Sequence, residues 1–462
     1  MSDLPPKPRA RPERVSLLRY VRLFRQDILS AQPAKLYRAW MAEFRTPFFH
    51  SYMINQPDLV KTVLVERPDD FPKSDRVREG LEPLLGNSVF VTNGEVWKRQ
   101  RRIIDPAFEG GRLREVFPAM WDATQAAVAR LSARAGAEPV EIEAETSHAA
   151  ADVIFRTLFS IPIEHEVAAA VFDEFRAYQR TQPLVNLAAF LPIPRWLPRP
   201  HRRSTRRSAE VIRGLIARLT EERQAQIATG TAPDDLATKI MTTRDPQTGE
   251  RFDSAEMVDQ VAIFFLAGHE TSASALAWAL YLLARYPEAQ ERIAAEATEA
   301  LNPEKEDFSA ISRLNFTRDV FREALRLYPP VPMMVRQATK QERFRDRVVR
   351  KASQIVISPW HLHRQPRLWD NPDGFDPDRW KTANGKRCQR EAFIPFSAGA
   401  RVCTGAGFAM IEGVLLLAML VRTFRISPVE GREPVPVAHL TVRARDGIWL
   451  RLEPRQVSES LR

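Results

Sequence analysis

Two stretches of this chain hold side chains whose chemistry is out of keeping with their surroundings. In FIPFSAGARVCTGAG, residues 393–407, Cys403 lies two residues after Arg401 and between Gly399 and Gly405. An apolar helical pattern follows from Phe408. Backbone N–H groups at a helix start, together with a nearby cation, stabilise a thiolate. In AGHET, residues 267–271, Glu270 and Thr271 interrupt the long apolar run 261–284. A buried carboxylate and hydroxyl cost several kcal/mol, as an order of magnitude (~5), unless they are hydrogen-bonded or near water. Gly268 weakens a helix by about 1 kcal/mol relative to Ala, yet it admits a close neighbour. A hydroxyl at 271 can bond back to a carbonyl one turn earlier and bend the helix.

Each feature alone has an ordinary reading. A lone Cys is most often a small buried apolar residue, and Glu270-Thr271 alone could be a satisfied polar kink. Glu323 and Arg326 in FREALRLYPPVP share a helix face, a spacing that usually makes a solvated surface pair. In HRQPRLWDNPDGFDPDRW, residues 363–380, prolines and aromatic residues leave no room for a helix or regular strand. Arg379, fixed in such a coil, could meet Glu323 in a forked bond. A thiolate without a Cys or His co-ligand cannot build a structural zinc site, whereas an axial ligand to haem iron needs only one Cys. Gly405 and Gly407 make a poor dinucleotide loop, because no buried strand leads into them.

Together these residues resemble the cytochrome P-450 family of haem-thiolate monooxygenases, in family order and over most of the chain. Phe-x-x-Gly-x-Arg-x-Cys-x-Gly is matched by Phe396, Gly399, Arg401, Cys403 and Gly405. The central-helix motif is matched by Ala267, Gly268, Glu270 and Thr271. Glu-x-x-Arg is Glu323 and Arg326, the meander motif is FDPDRW with Arg379, and Trp-x-x-x-Arg is Trp97 and Arg101. The resemblance implies a mainly α fold, with a smaller β-sheet region and haem b held between a long central helix and the Cys loop. It implies Cys403 as the iron's axial ligand, with Phe396 packed beside the sulfur. Gly399, Ala267 and Gly268 would lie against the haem. Trp97, Arg101, Arg336 and Arg401 would hold its propionates. Glu323, Arg326 and Arg379 would form a buried structural triad. Glu270 and Thr271 would organise water to deliver protons to bound O2, and Phe264, Val331, Met333, Met334 and Leu440 would line an apolar substrate pocket.

The expected reaction is O2-dependent hydroxylation or epoxidation of a lipophilic molecule such as a fatty acid, terpenoid or steroid. A peroxide-using or isomerising haem-thiolate enzyme is the alternative, but such members commonly lack the acid-Thr pair. A haem sensor without catalysis is a third reading. The electrons are expected from NAD(P)H through a separate ferredoxin or flavodoxin and its reductase, because no flavin or iron–sulfur segment is recognisable. The basic runs KRQRR, 98–102, and KRCQR, 386–390, would steer an acidic carrier, unless they are ordinary solvated faces.

The elements that must position these residues are mostly helices. REVFPAMWDATQAAVARLSARAG and SAEVIRGLIARLTEERQAQIATG both end at a glycine. Asp253 with Glu256 makes a capping box for the central helix, and Tyr286-Pro287 stops it. An acid in its middle argues for a soluble core rather than a membrane span. Strand-like pieces lie at FFHSYMI, RVVRKASQIVIS and VAHLTVRARDGIWLRLEP, the last read as a ribbon turning near Asp446-Gly447. A single domain over 1–462 is expected, with 1–14 a flexible tail and residues 17–28 a first helix placing Leu17, Leu18, Val21, Phe24 and Ile28 on one face. The apolar-then-basic segment 183–203 would cover the substrate entrance or touch a membrane.

The 462 residues carry a net charge of +10, 44% hydrophobic residues and 35 prolines. That composition is soluble and large enough for a substantial core. Two cysteines exclude a disulfide framework and favour a reducing, cytoplasmic setting. No nucleic-acid recognition module accompanies the basic balance, and no secretory leader is apparent. A monomer is expected.

Overall fold

The computed structural model describes residues 4–46, 49–136, 138–181, 203–302 and 304–455. Its helices include α1 Leu17–Gln26, α2 Gly94–Ile104, α3 Ile142–Phe159, α4 Arg203–Thr229, α5 Ser254–Arg285, α6 Asn315–Leu327 and α7 Ala406–Thr423. Its strands are β1 Met41–Thr46, β2 Phe49–Ile54, β3 Val140–Glu141, β4 Met334–Gln337, β5 Glu342–Phe344, β6 Arg347–Val349, β7 Gln354–Ile357, β8 Phe424–Pro428, β9 Pro436–Ala438, β10 Val442–Ala444 and β11 Trp449–Pro454. The mainly helical expectation holds, with small sheets at the margin.

The central element is α5, 32 residues long and buried along nearly its whole length from Met257 to Ala284. Both halves of the capping box form: Glu256 N–H donates to Asp253 Oδ1 at 2.8 Å, and Asp253 N–H to Glu256 Oε2 at 3.1 Å. Tyr286 ends the helix before Pro287. α3, α6 and α7 pack around it. At its far end Trp278 stacks on Tyr328, with ring centroids 4.0 Å apart.

The larger sheet has strand order β1-β2-β7-β4, with β2 parallel to β7 and the other neighbours antiparallel. It carries a second cluster of buried side chains around Tyr52, Ile54, Ile355, Ile357 and Trp369. The C-terminal ribbon departs from the sequence expectation. β9 and β10 pair with each other and turn at residues 439–441, whereas β11 pairs with β8 and β3. Asp446-Gly447 therefore joins two different sheets rather than turning one hairpin. The 363–380 stretch is largely irregular as expected, but a short 3-10 turn over Pro377–Lys381 carries Arg379.

Two N-terminal expectations are corrected. Residues 4–14 are held rather than loose. Pro5 and Pro8 are buried, Tyr328 Oη donates to Pro6 O at 2.8 Å, and Arg11 Nε donates to Ala31 O at 2.6 Å. On α1, Leu18 points outward, 85% exposed, because the helix turns Tyr20, Val21 and Phe24 toward an internal cavity instead. The proposed entrance cover, 183–202, lies outside the described residues.

Candidate functional site

A cavity of about 700 Å³ runs beneath α5 and reaches α1, the larger sheet and the β9–β10 turn. Its walls hold Cys403, Phe396, Trp97, Arg101, Arg336, Arg401, Ala267, Gly268, Glu270 and Thr271, which the sequence had scattered over three hundred positions. Phe264, Val331, Met333, Met334 and Leu440 line the same space.

Cys403 is placed by the turn that feeds α7. Its N–H donates to Phe396 O at 2.9 Å, and its carbonyl accepts from Ala406 N–H at 3.3 Å. The thiol opens into the cavity while lying deep in the molecule, so a bound group reaches it more readily than bulk water does. Burial pushes the thiol above its ordinary pKa, while the Gly405 N–H, Arg101 and Lys73 pull it back. The helix-start contribution expected from sequence is present, but desolvation outweighs it. Gly399 is the other correction. It does not line the cavity; its φ is +68°, and a Cβ there would stand 2.0 Å from Leu64 O. The close approach this glycine permits is to the chain at 64–65, which braces the Cys loop from behind.

On α5, Thr271 Oγ1 donates to Ala267 O at 2.6 Å. Its proton is thereby committed to the helix, and its lone pairs face the cavity. Glu270 is 5% exposed and accepts from Arg443 Nη2 at 2.9 Å. Burial raises its carboxyl pKa, and Arg443 opposes the rise. Gly268 makes room for Ile154 of α3, whose Cδ1 would lie 2.5 Å from an added Cβ. The neighbour it admits is therefore a side chain of another helix, and both residues line the cavity. Next to Thr271, Ser272 Oγ donates to Glu412 Oε2 at 2.5 Å. Glu412, on α7, is fully enclosed, and burial pushes its carboxyl to about 8.

The structural triad forms as expected. Glu323 Oε1 accepts from Arg326 Nη2 at 2.8 Å and from Arg379 Nε at 2.9 Å, with all three side chains at most 4% exposed. The remaining guanidinium protons go to backbone carbonyls: Arg326 to His363, Pro372 and Gly374, and Arg379 to Asp370, Asn371 and Gly374. The two cations thus share one carboxylate, with carbonyl oxygens completing their hydrogen bonding, and the meander is tied to α6.

The cationic wall tests the expected haem. Arg401 donates to Thr92 O at 3.1 Å and Asn93 Oδ1 at 2.8 Å, and lies 4.1 Å above the Trp97 ring. Arg101 pairs with Asp105 at 2.8 Å and donates to Val402 O. Among the described residues, Arg336, 5% exposed, reaches only its neighbour's carbonyl, at 3.4 Å. Lys73 joins them, donating to Phe90 O at 2.5 Å. Nothing in FPKSDRV marked this lysine, which has no spacing signature. Among the described residues, Lys73, Arg336 and Arg401 have no carboxylate at ion-pair distance. Burial lowers Arg336 and Arg401 to about 10, with Arg336 and Arg101 adding like-charge repulsion at Arg401. Burial, then Arg336 and Arg401, drive Lys73 well below the usual lysine value. Three desolvated cations beside a thiol fit a planar ligand that brings two carboxylates and a metal needing one sulfur.

The basic run 98–102 is less free than its sequence implied. Arg99 is paired with Glu256 at 2.6 Å, and Arg102 with Asp245 at 2.6 Å. Lys98, which pairs with Glu95, stays at the surface.

Residues 5–452 match the family model described as Cytochrome P450. Cyclooctat-9-en-7-ol 5-monooxygenase of Streptomyces melanosporofaciens is 33% identical over 85% of this chain and 83% of its own. Human Cytochrome P450 4F8 is 29% identical over 86% and 80%. Cytokinin hydroxylase of Arabidopsis thaliana is 28% identical over 87% and 78%. With the Cys loop, the central-helix motif and the buried triad all in one structure, the chain belongs to the cytochrome P450 family of haem monooxygenases, oxidoreductases that place one oxygen atom in their substrate with electrons supplied from outside.

Proposed function

We propose that this protein hydroxylates or epoxidises a lipophilic small molecule, with Cys403 as the sulfur that would hold the haem and Glu270 and Thr271 as the proton-handling pair. The carrying observation is that Cys403, Thr271 and an apolar wall of Phe264, Val331, Met333 and Leu440 share one cavity of about 700 Å³. When bound, the haem supplies oxygen activation, which an axial thiolate favours by pushing electron density toward the oxygen.

The chain's own residues then have separable tasks. Lys73, Arg336 and Arg401, with Arg101 and Trp97, would hold the haem's propionates and neutralise charge that burial would otherwise penalise. Phe396, whose carbonyl accepts the Cys403 N–H, would pack beside the sulfur. Thr271, its proton given to Ala267 O, accepts a hydrogen bond from a donor in the cavity and so orients it. Glu270, kept buried and held by Arg443, passes protons inward when that ion pair loosens. The apolar wall excludes bulk water and holds a C–H bond near the reacting centre. A terpenoid, steroid or fatty-acid skeleton suits such a cavity. The name of the Streptomyces relative, a monooxygenase of an unsaturated alcohol, agrees with that class.

The electrons come from NAD(P)H through a ferredoxin or flavodoxin and its reductase, in the cytoplasm. Support for a small acidic carrier is the surface around the Cys loop. Val96 and Val402 are exposed there, by 53% and 39%, with Lys98 nearby. Because Arg99 and Arg102 are already paired, electrostatic steering should be modest. Incubation with O2, NADPH and a surrogate ferredoxin system, against hydrogen peroxide alone, tests the reading. Oxygenated product only with the electron chain supports it. Efficient turnover by peroxide alone would move the protein to the peroxide-using class.

A further inference from the structure

We infer that His439 is a specificity residue that hydrogen-bonds an oxygen atom on an otherwise apolar substrate. The inference rests on the lipophilic-substrate reading above and narrows it.

His439 opens the tight turn between β9 and β10, which its own N–H closes by donating to Thr441 O at 3.2 Å. The turn is pinned on three sides. Ala438 N–H donates to Asp27 Oδ1 at 2.7 Å, and Ile28 N–H donates to Ala438 O at 3.0 Å, fixing it to the end of α1. Val442 N–H donates to Pro330 O at 2.9 Å, next to the Val331–Met334 wall. Ser274 Oγ, on α5, donates to Val442 O at 2.5 Å. A hairpin tip held this way has one open direction, and residues 439–441 all line the cavity.

The imidazole has no hydrogen-bond partner among the described residues. Its Nδ1 is enclosed and unpaired, which leaves Nε2 as the ring nitrogen that can meet a group in the cavity. An unpaired polar group in such a place is destabilising, and Asp27, the nearby carboxylate, is already occupied by the N–H groups of Leu29, Ser30 and Ala438. Burial lowers the imidazole pKa; Asp27 opposes this and Arg443 adds to it. The ring is therefore a neutral donor and acceptor at neutral pH, suited to a hydroxyl or carbonyl. Phe24, Ile28, Met53, Met333 and Leu440 give the same cavity apolar surface, so one oxygen met at His439 would fix the orientation of a featureless skeleton. A site built to bond a polar atom discriminates against the analogue that lacks it.

The test uses the haem-loaded protein and the spin-state shift of its Soret band. Matched hydrocarbon, ketone and alcohol probes on linear twelve-carbon, cyclic twelve-carbon and farnesyl skeletons are titrated into the wild type, His439→Leu and His439→Asn. The wild type should bind the alcohol or ketone of at least one skeleton about tenfold more tightly than the hydrocarbon. His439→Leu should abolish that preference while keeping or improving hydrocarbon binding, and His439→Asn should retain part of it. The ratio within one protein cancels any general loss of folding. Equal affinities in the wild type, or a preference that survives in His439→Leu, overturns the assignment to His439 alone. No shift with any probe in any of the three proteins overturns the lipophilic-substrate reading, and His439's role with it.

Discussion

Arg443 on β10 donates from Nη2 to Oε1 of Glu270 at 2.9 Å, joining residues 173 positions apart. The bond gives the buried carboxylate its cation and opposes the upward pKa shift that burial imposes. Because Arg443 is partly exposed, 39% by side chain, the pair links the cavity to the outside of the fold. Removing the cation raises the Glu270 pKa further, so less of it is ionised at any pH below neutrality. For Arg443→Gln, the acid limb of the pH profile for product formed per electron consumed should move to higher pH. An unmoved profile would mean that Glu270 does not carry the protons.

Thr271→Ala removes the acceptor that faces the cavity but leaves the cavity walls intact. Electron consumption should continue, while product per electron falls by roughly tenfold or more. Thr271→Ser should recover much of the coupling, since it restores the hydroxyl next to Ala267 O. Unchanged coupling in Thr271→Ala would remove Thr271 from the relay.

The buried triad predicts a stability effect rather than a kinetic one. Glu323→Gln strips the charge that Arg326 and Arg379 share, leaving two cations with only carbonyl partners. Loss of one member of a buried ion group costs about 3–5 kcal/mol. A urea midpoint close to that of the wild type would contradict the account.

Glu412 gives a pH-dependent prediction whose sign is fixed by its carboxyl, raised from 4.5 to about 8. Between those values the folded state binds the extra proton, so this group's stabilising contribution is complete below pH 4.5 and is lost as pH rises through about 8. Glu412→Gln keeps an acceptor for Ser272 and cannot ionise. Its stability relative to the wild type should therefore increase from pH 5 to pH 8, by at most about 5 kcal/mol. Urea melts at the two pH values measure it, and a parallel pH response in both proteins would refute it.

The site was legible wherever its chemistry is carried by local spacing. Cys403 with its glycines, Glu270-Thr271 and Glu323-x-x-Arg326 are short patterns, and Arg379 could be matched to Glu323 because a rigid coil leaves a guanidinium few partners. What sequence could not expose is pairing across long separations. Arg443 sits in an ordinary strand pattern, Glu412 in an apolar helix, and Lys73 beside a helix cap, and each acquires its role only from residues brought in by the fold. Gly399 and Gly268 were correctly read as places of close approach, but the approaching partners are Leu64 and Ile154. The terminal ribbon was misplaced for a related reason. Asp446-Gly447 is a good local turn, yet β11 finds its partners in β8 and β3, and tertiary pairing decides where a hairpin closes.

The central claim, that Cys403 supplies the sulfur to a haem held in this cavity, is tested most directly by the spectrum of the reduced, carbon-monoxide-bound protein. The account predicts the strongly red-shifted Soret band of a thiolate-ligated haem in the wild type, and its loss in Cys403→Ser under conditions where Cys388→Ser retains it. Absence of that band from the haem-loaded wild type, or its persistence in Cys403→Ser, would contradict the account.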